Sequence, residues 1–326
     1  MMTHAVVVHR HGGPEVLEYG EIEVADPGPG ELRIVQTAIG LNFADVYQRQ
    51  GAAGPHSTAQ FPAVLGAQGA GLVETIGPGV QGFEIGQPVA YVHPGAYAAM
   101  RLLPASRTLH LPDGLTLETA AATLLRGMTA EYLLHRLYSV KPGDAILVHA
   151  AAGGMGQILC AWARALGATV IGTVGSQAKL GVALANGCHH VLDYSTGDFA
   201  AQVNELTHGE GVAVVYDAIG RDAFLPSLDC LRVRGMAINF GTASGDVQAF
   251  DLQRLHARSH SVCRPTLRSF IATEAELQMS AASFAVAVRR GDVPARVDRS
   301  YPLSETARAH AELESRKTTG AAILVP

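Results

Sequence analysis

His149-Ala150-Ala151-Ala152-Gly153-Gly154-Met155-Gly156-Gln157 is the stretch on which the fold turns. It leaves an apolar run, 144–150, with strand character. It opens 156–167, where Ile158, Leu159, Trp162 and Leu166 fall on one helical face. A glycine-rich turn between strand and helix is the setting in which G-x-G-x-x-G binds a dinucleotide. Laid on that pattern the residues are Ala151, Ala152, Gly153, Gly154, Met155 and Gly156, so the first glycine is missing. Gly153 would let backbone approach a pyrophosphate, and Gly156 would let helix and strand pack closely. The helix start offers open N–H groups to an anion. The bland alternative is a structural corner, and the surrounding sequence argues against it.

From 169 to 265 strands and helices alternate. Strand-like runs at 169–175, 191–194, 211–220, 235–241 and 259–265 are separated by helical patterns at 177–187, 198–209 and 222–235. Such alternation implies a parallel, doubly wound α/β sheet. The first third differs: short strand-forming runs at 4–12, 17–24, 31–40, 70–77 and 87–92, punctuated by Gly and Pro, suggest a barrel-like or sandwich-like unit. Helices are expected at 273–291 and 304–320, the latter with Ser304 as N-cap and Arg316 and Lys317 in its last turn. The closing run 321–326 reads as a strand that returns to the N-terminal unit.

Composition sets outer limits. The 326 residues are 48% hydrophobic and 16% charged with a net charge of −5, which suits a globular chain and argues against nucleic acid as a main partner. No run approaches the roughly 18–20 apolar residues of a membrane span, and 1–17 does not read as a signal peptide. Cys160, Cys188, Cys230 and Cys263 form no C-x-x-C pair, which favours reduced thiols in a cytoplasmic protein.

The acid-free end of the second αβ strand bears on the cofactor. NAD sites place Asp or Glu about 20 residues beyond the turn, on the ribose 2′-hydroxyl. Here no acidic residue occurs between Asp144 and Asp193. Gly175 leaves space, Ser176 can donate a hydrogen bond, and Lys179 brings positive charge, so a 2′-phosphate and therefore NADPH are expected. A second cluster, Asn42, Asp45, Tyr47 and Arg49 within 40–51, offers donors for a carbonyl oxygen; alone it could equally be a surface helical turn.

Together these stretches resemble the zinc-independent quinone oxidoreductases of the medium-chain dehydrogenase/reductase superfamily, the group that includes zeta-crystallin. The resemblance covers nearly the whole chain, through 12–17, 40–51, 150–156, 172–179, 214–222, 228–235, 238–245, 264–267 and 314–326. It implies a Rossmann domain, 128–263, inserted in a β-rich GroES-like catalytic domain of 1–127 and 264–326, with the cofactor cleft between them and a homodimer formed through the nucleotide domains. The alcohol-oxidising members of the superfamily carry Gly-His-Glu and a cysteine ligand. The matching residues here are Gly66-Ala67-Gln68, and no cysteine precedes Cys160, so no metal site is expected.

By the same resemblance, Asn42 and Tyr47 stand beside the nicotinamide and Asp45 lines the substrate pocket. Thr129 and Tyr132 lie on the cofactor side, and Met155 along the pyrophosphate with Gly153, Gly154 and Gly156. Ser176, Lys179 and Tyr194 meet the 2′-phosphate and adenosine beside Gly175. Phe240, Thr242 and Ser244 approach the nicotinamide ribose, and Arg316 reaches the cofactor. The implied activity is NADPH-dependent, metal-free reduction of a quinone or related enone. The alternatives are an enone or enoyl-thioester reductase on the same scaffold, or a non-enzymatic NADPH- or RNA-binding or crystallin-type protein.

Overall fold

The structure is a computed structural model describing residues 1–51, 60–195, 197–315 and 318–326. It divides into two compact units: Met1–Met128 with Ile271–Arg289 and Ala295–Pro326, and Thr129–Phe270 with Arg290–Pro294.

In chain order the first eight strands are β1 (Met2–Val8), β2 (Glu18–Glu23), β3 (Glu31–Leu41), β4 (Ala63–Val64), β5 (Gln68–Ile76), β6 (Pro88–Val92), β7 (Met100–Pro104) and β8 (Thr108–His110). The middle of the chain adds β9 (Ala145–Val148), β10 (Thr169–Val174), β11 (His190–Asp193), β12 (Val212–Asp217), β13 (Leu231–Asn239) and β14 (Ser261–Cys263). The end contributes β15 (Arg299–Pro302) and β16 (Ala322–Val325).

The first unit is built on β3, which pairs antiparallel with β5, β7 and β16. The C-terminal run therefore does return to an N-terminal strand. Leu32, Ile34, Ile39 and Leu41 of β3 enter a core shared with Val6, Tyr91, Tyr97, Leu303 and Leu324. Helix α1 (Phe43–Gln50) starts directly off β3, because Asn42 is still extended at φ −133° and ψ 157°. Its buried residues are Asp45, Val46 and Arg49, spaced for one helical face, yet two of the three are charged. Helix α2 (Leu117–Glu131) follows β8.

The second unit is a six-stranded parallel sheet in the order β11-β10-β9-β12-β13-β14. Order reverses between β9 and β12, and in such sheets ligands bind outside the carboxyl ends of the strands at this switch point. Strand β12 is buried throughout, as expected for a strand covered on both faces. Helix α3 (Gly154–Ala165) follows β9 through the glycine-rich turn.

Two sequence expectations are corrected. The region 222–235 is not one helix: a short helix Phe224–Ser227 and a 3-10 turn Leu228–Cys230 lead straight into β13. Leu228 and Leu231 have helical spacing, but the second already pairs with Val212, and Arg234 adopts φ 61° where the register shifts. Near the C-terminus a 3-10 turn Leu303–Glu305 precedes the helix Thr306–Glu314. Ser304 therefore lies inside that turn, and Glu305 takes the cap position. Among the described residues no helix is long and apolar enough to cross a membrane.

Candidate functional site

The turn after β9 is shaped by a residue ahead of the glycine pattern. Ala150 is left-handed at φ 55°, a conformation that costs an L-residue roughly 1–2 kcal/mol. Its carbonyl accepts the Gly153 N–H at 2.9 Å, while the Ala151 N–H bonds Thr173 O on β10 at 3.0 Å. Ala151, in place of the first glycine, is fully buried. Its methyl lies over Gly172, where an added Cβ would meet Ala151 Cβ at 2.7 Å and Cys188 Sγ at 2.5 Å. Gly153 caps α3 without any side-chain bond, and Gly154 and Met155 follow it half-buried in the first turn. This uncapped start suits a pyrophosphate. His149, at the end of β9, bonds Thr173 Oγ1 at 2.8 Å and Ser227 Oγ at 2.7 Å; burial lowers its pKa and keeps it neutral.

At the adenosine end, the space beside Gly175 is taken by a side chain: an added Cβ would lie 2.7 Å from the Tyr194 hydroxyl. Ser176 is extended and makes no cap bond, and Lys179 lies on the following 3-10 turn with its pKa lowered by burial. Gly175 and Tyr194 thus meet where β10 and β11 end, the Tyr194 N–H bonding Val174 O at 3.1 Å, and Ser176 and Lys179 follow directly in the chain. Arg316 lies outside the described residues.

The loops after β12 and β13 are moulded by buried Asp217. Its carboxylate accepts the Ile219 N–H at 2.7 Å, the Gly220 N–H and Asn239 Nδ2 at 2.8 Å. Phe240 and Thr242 emerge half-buried from this region. Ser244 is occupied by the protein itself, donating to Ile219 O at 2.8 Å and accepting the Asp222 N–H at 3.1 Å. Thr129 is buried in the last turn of α2, and Tyr132 opens a π-helical turn, Tyr132–Leu137, a departure common at functional sites. The Tyr132 ring stacks on Phe270 at 4.2 Å and 8°, and Arg136 lies 5.2 Å from the Phe270 centroid. Sequence reasoning passed over Phe270; the only available signal was an aromatic residue following 264–267.

In the first unit, Asn42 is 4% exposed, and neither its Nδ2 nor its Oδ1 has a protein partner. Asp45, which the resemblance puts on the pocket wall, has 0% exposure. Its Oδ2 accepts the Asn42 N–H at 2.7 Å and the Tyr97 hydroxyl at 3.0 Å, while Oδ1 has no partner. Burial raises the Asp45 pKa to about 7, against the lowering effects of Asn42, Tyr97 and the Arg126 charge. Arg126, buried on α2, donates to Leu41 O at 2.8 Å and to Ala122 O. Burial holds its pKa down to about 10. Behind Tyr97, His310 Nε2 meets the hydroxyl at 2.9 Å, and His310 Nδ1 meets Arg49 Nη1 at 3.1 Å. Arg49 also pairs with Glu314 at 2.7 Å. Burial, then the Arg49 charge, lowers His310 to about 3. Tyr47 is half-buried on the same helix as Asp45 and tilts against Phe43. Arg126, Tyr97 and His310 escaped sequence reasoning.

At the Gly-His-Glu position, Ala67 offers no ligand and Gln68 is structural, its Oε1 accepting the Leu125 N–H at 2.7 Å. Among the described residues no group of three or more His, Cys, Asp or Glu is placed to hold a metal ion.

Two family models match the chain: "Alcohol dehydrogenase GroES-like domain" over 28–140 and "Zinc-binding dehydrogenase" over 154–283. The chain is 44% identical to a 2-haloacrylate reductase of Burkholderia sp, over 100% of this chain and 99% of the other. It is 44% identical to a quinone oxidoreductase of Pseudomonas aeruginosa, over 100% of both. The solved structure of an Escherichia coli quinone oxidoreductase complexed with NADPH superposes with a TM-score of 0.95 at 40% identity, covering 99% of this chain and 100% of that one.

The turn separates packing from ligand approach. A Gly156→Ala methyl would fall 2.3 Å from Ala150 O and 2.7 Å from Ala151 Cα, whereas at Gly153 the nearest atom is 3.2 Å away. Gly156→Ala is expected to destabilise the protein by about 1–3 kcal/mol. Gly153→Ala should lower the melting temperature less than Gly156→Ala does while weakening NADPH binding, as checked by calorimetric unfolding and NADPH titration.

Asp45 also makes stability depend on pH. Its folded pKa of about 7 lies above the ordinary 3.8, so its contribution is complete below about 3.8 and is lost as pH rises through about 7. His310 has the opposite sign: with a folded pKa of about 3 against 6.5, its contribution is complete above 6.5 and is lost as pH falls toward 3. The stability of wild type relative to Asp45→Asn should therefore fall as pH is raised from about 3.8 to about 7. Urea unfolding across that window checks this; a constant difference would place Asp45 near its ordinary value.

Proposed function

The chain belongs to the zinc-independent quinone oxidoreductases of the medium-chain dehydrogenase/reductase superfamily, and on that premise we propose that it carries a hydride from NADPH to a quinone or another conjugated carbonyl. The observation that carries this reading is the Asn42 carboxamide, buried with both polar atoms unpaired. Buried polar groups are normally bonded. An acceptor's carbonyl oxygen would satisfy Nδ2. Tyr47 offers a second donor. Each well-aimed donor to an oxygen that gains negative charge lowers the barrier by roughly 3–4 kcal/mol.

NADPH supplies the hydride when bound. The second unit fits that cofactor: an uncapped helix start at Gly153 to Gly156, and Gly175, Ser176 and Lys179 following β10, a strand that carries no carboxylate, with Tyr194 over Gly175. Thr129, Tyr132, Phe240 and Thr242 take the nicotinamide ribose side, and Ser244 holds the loop's shape. A quinone becomes an aromatic hydroquinone on reduction, so strong electrophilic help is unnecessary. Residues without zinc ligands at 66–68 agree with that.

A second reading, an α,β-unsaturated acid as acceptor, is favoured by the 44% identity to a 2-haloacrylate reductase. Homodimerisation through the second unit is supported by β14, an edge strand with Val262 37% exposed, while Val233 on β13 is 60% exposed; light scattering would give the assembly's mass. Four unbridged thiols support a cytoplasmic setting.

Initial rates with small quinones, enones, 2-haloacrylate and enoyl thioesters test the activity, each with NADPH and with NADH. The expected outcome is fastest turnover of a quinone with NADPH; no turnover of any quinone overturns the main reading. Lys179→Glu should weaken NADPH roughly ten- to hundredfold, the size of one charge-assisted hydrogen bond. Unchanged affinity would remove Lys179 from the 2′-phosphate site.

A further inference from the structure

The N–H of Asn42 and the C=O of Leu41 belong to one peptide group, and two buried ionisable groups hold its two ends. Arg126 Nη2 donates to the carbonyl at 2.8 Å, and Asp45 Oδ2 accepts the N–H at 2.7 Å. The Asn42 side chain, by contrast, caps the first turn in a capping-box arrangement with Asp45 yet makes no hydrogen bond to the protein through Nδ2 or Oδ1. The backbone is fixed from both sides while the carboxamide is left available.

Asp45 is in turn held from behind, and the direction of that hydrogen-bond chain follows from its members. An arginine can only donate, so His310 Nδ1 must accept from Arg49 Nη1 at 3.1 Å. The neutral ring then carries its hydrogen on Nε2 and donates to the Tyr97 oxygen at 2.9 Å. Tyr97 is left to donate to Asp45 Oδ2 at 3.0 Å. Every bond points toward Asp45, and all of these groups are buried.

We propose that Arg126 and Asp45, with Tyr97 and His310 behind them, are positioning residues that orient Asn42 for the acceptor's carbonyl. The inference rests on Asn42 being the carbonyl's donor. Loss of the Tyr97 hydroxyl leaves Asp45 Oδ2 with the Asn42 N–H alone. With Oδ1 unpartnered, only that bond and the Arg126 charge then hold the carboxylate. The Asn42 backbone loosens, and with it the aim of the carboxamide.

A double-mutant cycle with NADPH and 1,4-benzoquinone tests this. Tyr97→Phe and His310→Leu are each made in the wild-type and Asn42→Ala backgrounds, with the melting temperature of every variant recorded. In the wild-type background each should lower kcat/KM about tenfold or more, as misplacement of a reacting group does. In the Asn42→Ala background the same changes should alter it by no more than about twofold. Equal losses in both backgrounds, or none in wild type, overturn the positioning role and leave Asn42 as the donor. If Asn42→Ala itself leaves kcat/KM unchanged, the reading of Asn42 falls instead. Should Tyr97→Phe fail to fold, His310→Leu decides, since it replaces a buried ring with an apolar side chain and leaves Asp45 and Tyr97 in place.

Discussion

A carboxylate without access to water governs the organisation of the first unit. Asp45 lies one turn into α1 with no exposed surface, and an isolated charge there would be prohibitively unfavourable. The surrounding elements answer it: β3 supplies the Asn42 N–H, the segment after β6 supplies Tyr97, and α2 brings the charge of Arg126. Compensation is partial, since burial still dominates and its pKa sits about 7. The arrangement gives little stability in return, as buried ionic groups often do not. What it confers is a defined geometry at the junction where β3 becomes α1.

The second unit is organised by an equally simple constraint, the crowding between a turn and the strand beneath it. The pattern's first glycine is absent because the methyl of Ala151 fills room that Gly172 leaves on β10. The left-handed residue of the turn is Ala150, one position before Ala151. The turn keeps its open helix start by shifting backbone strain upstream.

Legibility from sequence followed the distance over which each feature is built. The turn at 149–157, the alternation that makes the parallel sheet, and the acid-free stretch from Asp144 to Asp193 are local and could be read directly. So could Asn42 and Tyr47, as donors on one short segment. The groups that hold Asn42 in place could not. Tyr97 is separated from Asp45 by 52 positions, and His310 from Arg49 by 261. His310 looked like one more polar residue on a C-terminal helix. Gly175 read as empty space because Tyr194, from the next strand, had not yet been placed over it. The segment 222–235 has a helical pattern in sequence, but only Phe224–Ser227 and the turn Leu228–Cys230 are helical before Leu231 pairs with Val212 on β12.

The one-way hydrogen-bond chain behind Asp45 has a consequence for proton traffic. A proton wire needs every member to give and take in turn, and Arg49, a permanent donor, stands between His310 and the partly exposed Glu314. Glu314 therefore cannot recharge the chain. Tyr97 and His310 act as an insulator, walling Asp45 off from bulk water on that side. A proton that reaches or leaves Asp45 must therefore pass on a side other than that of Arg49.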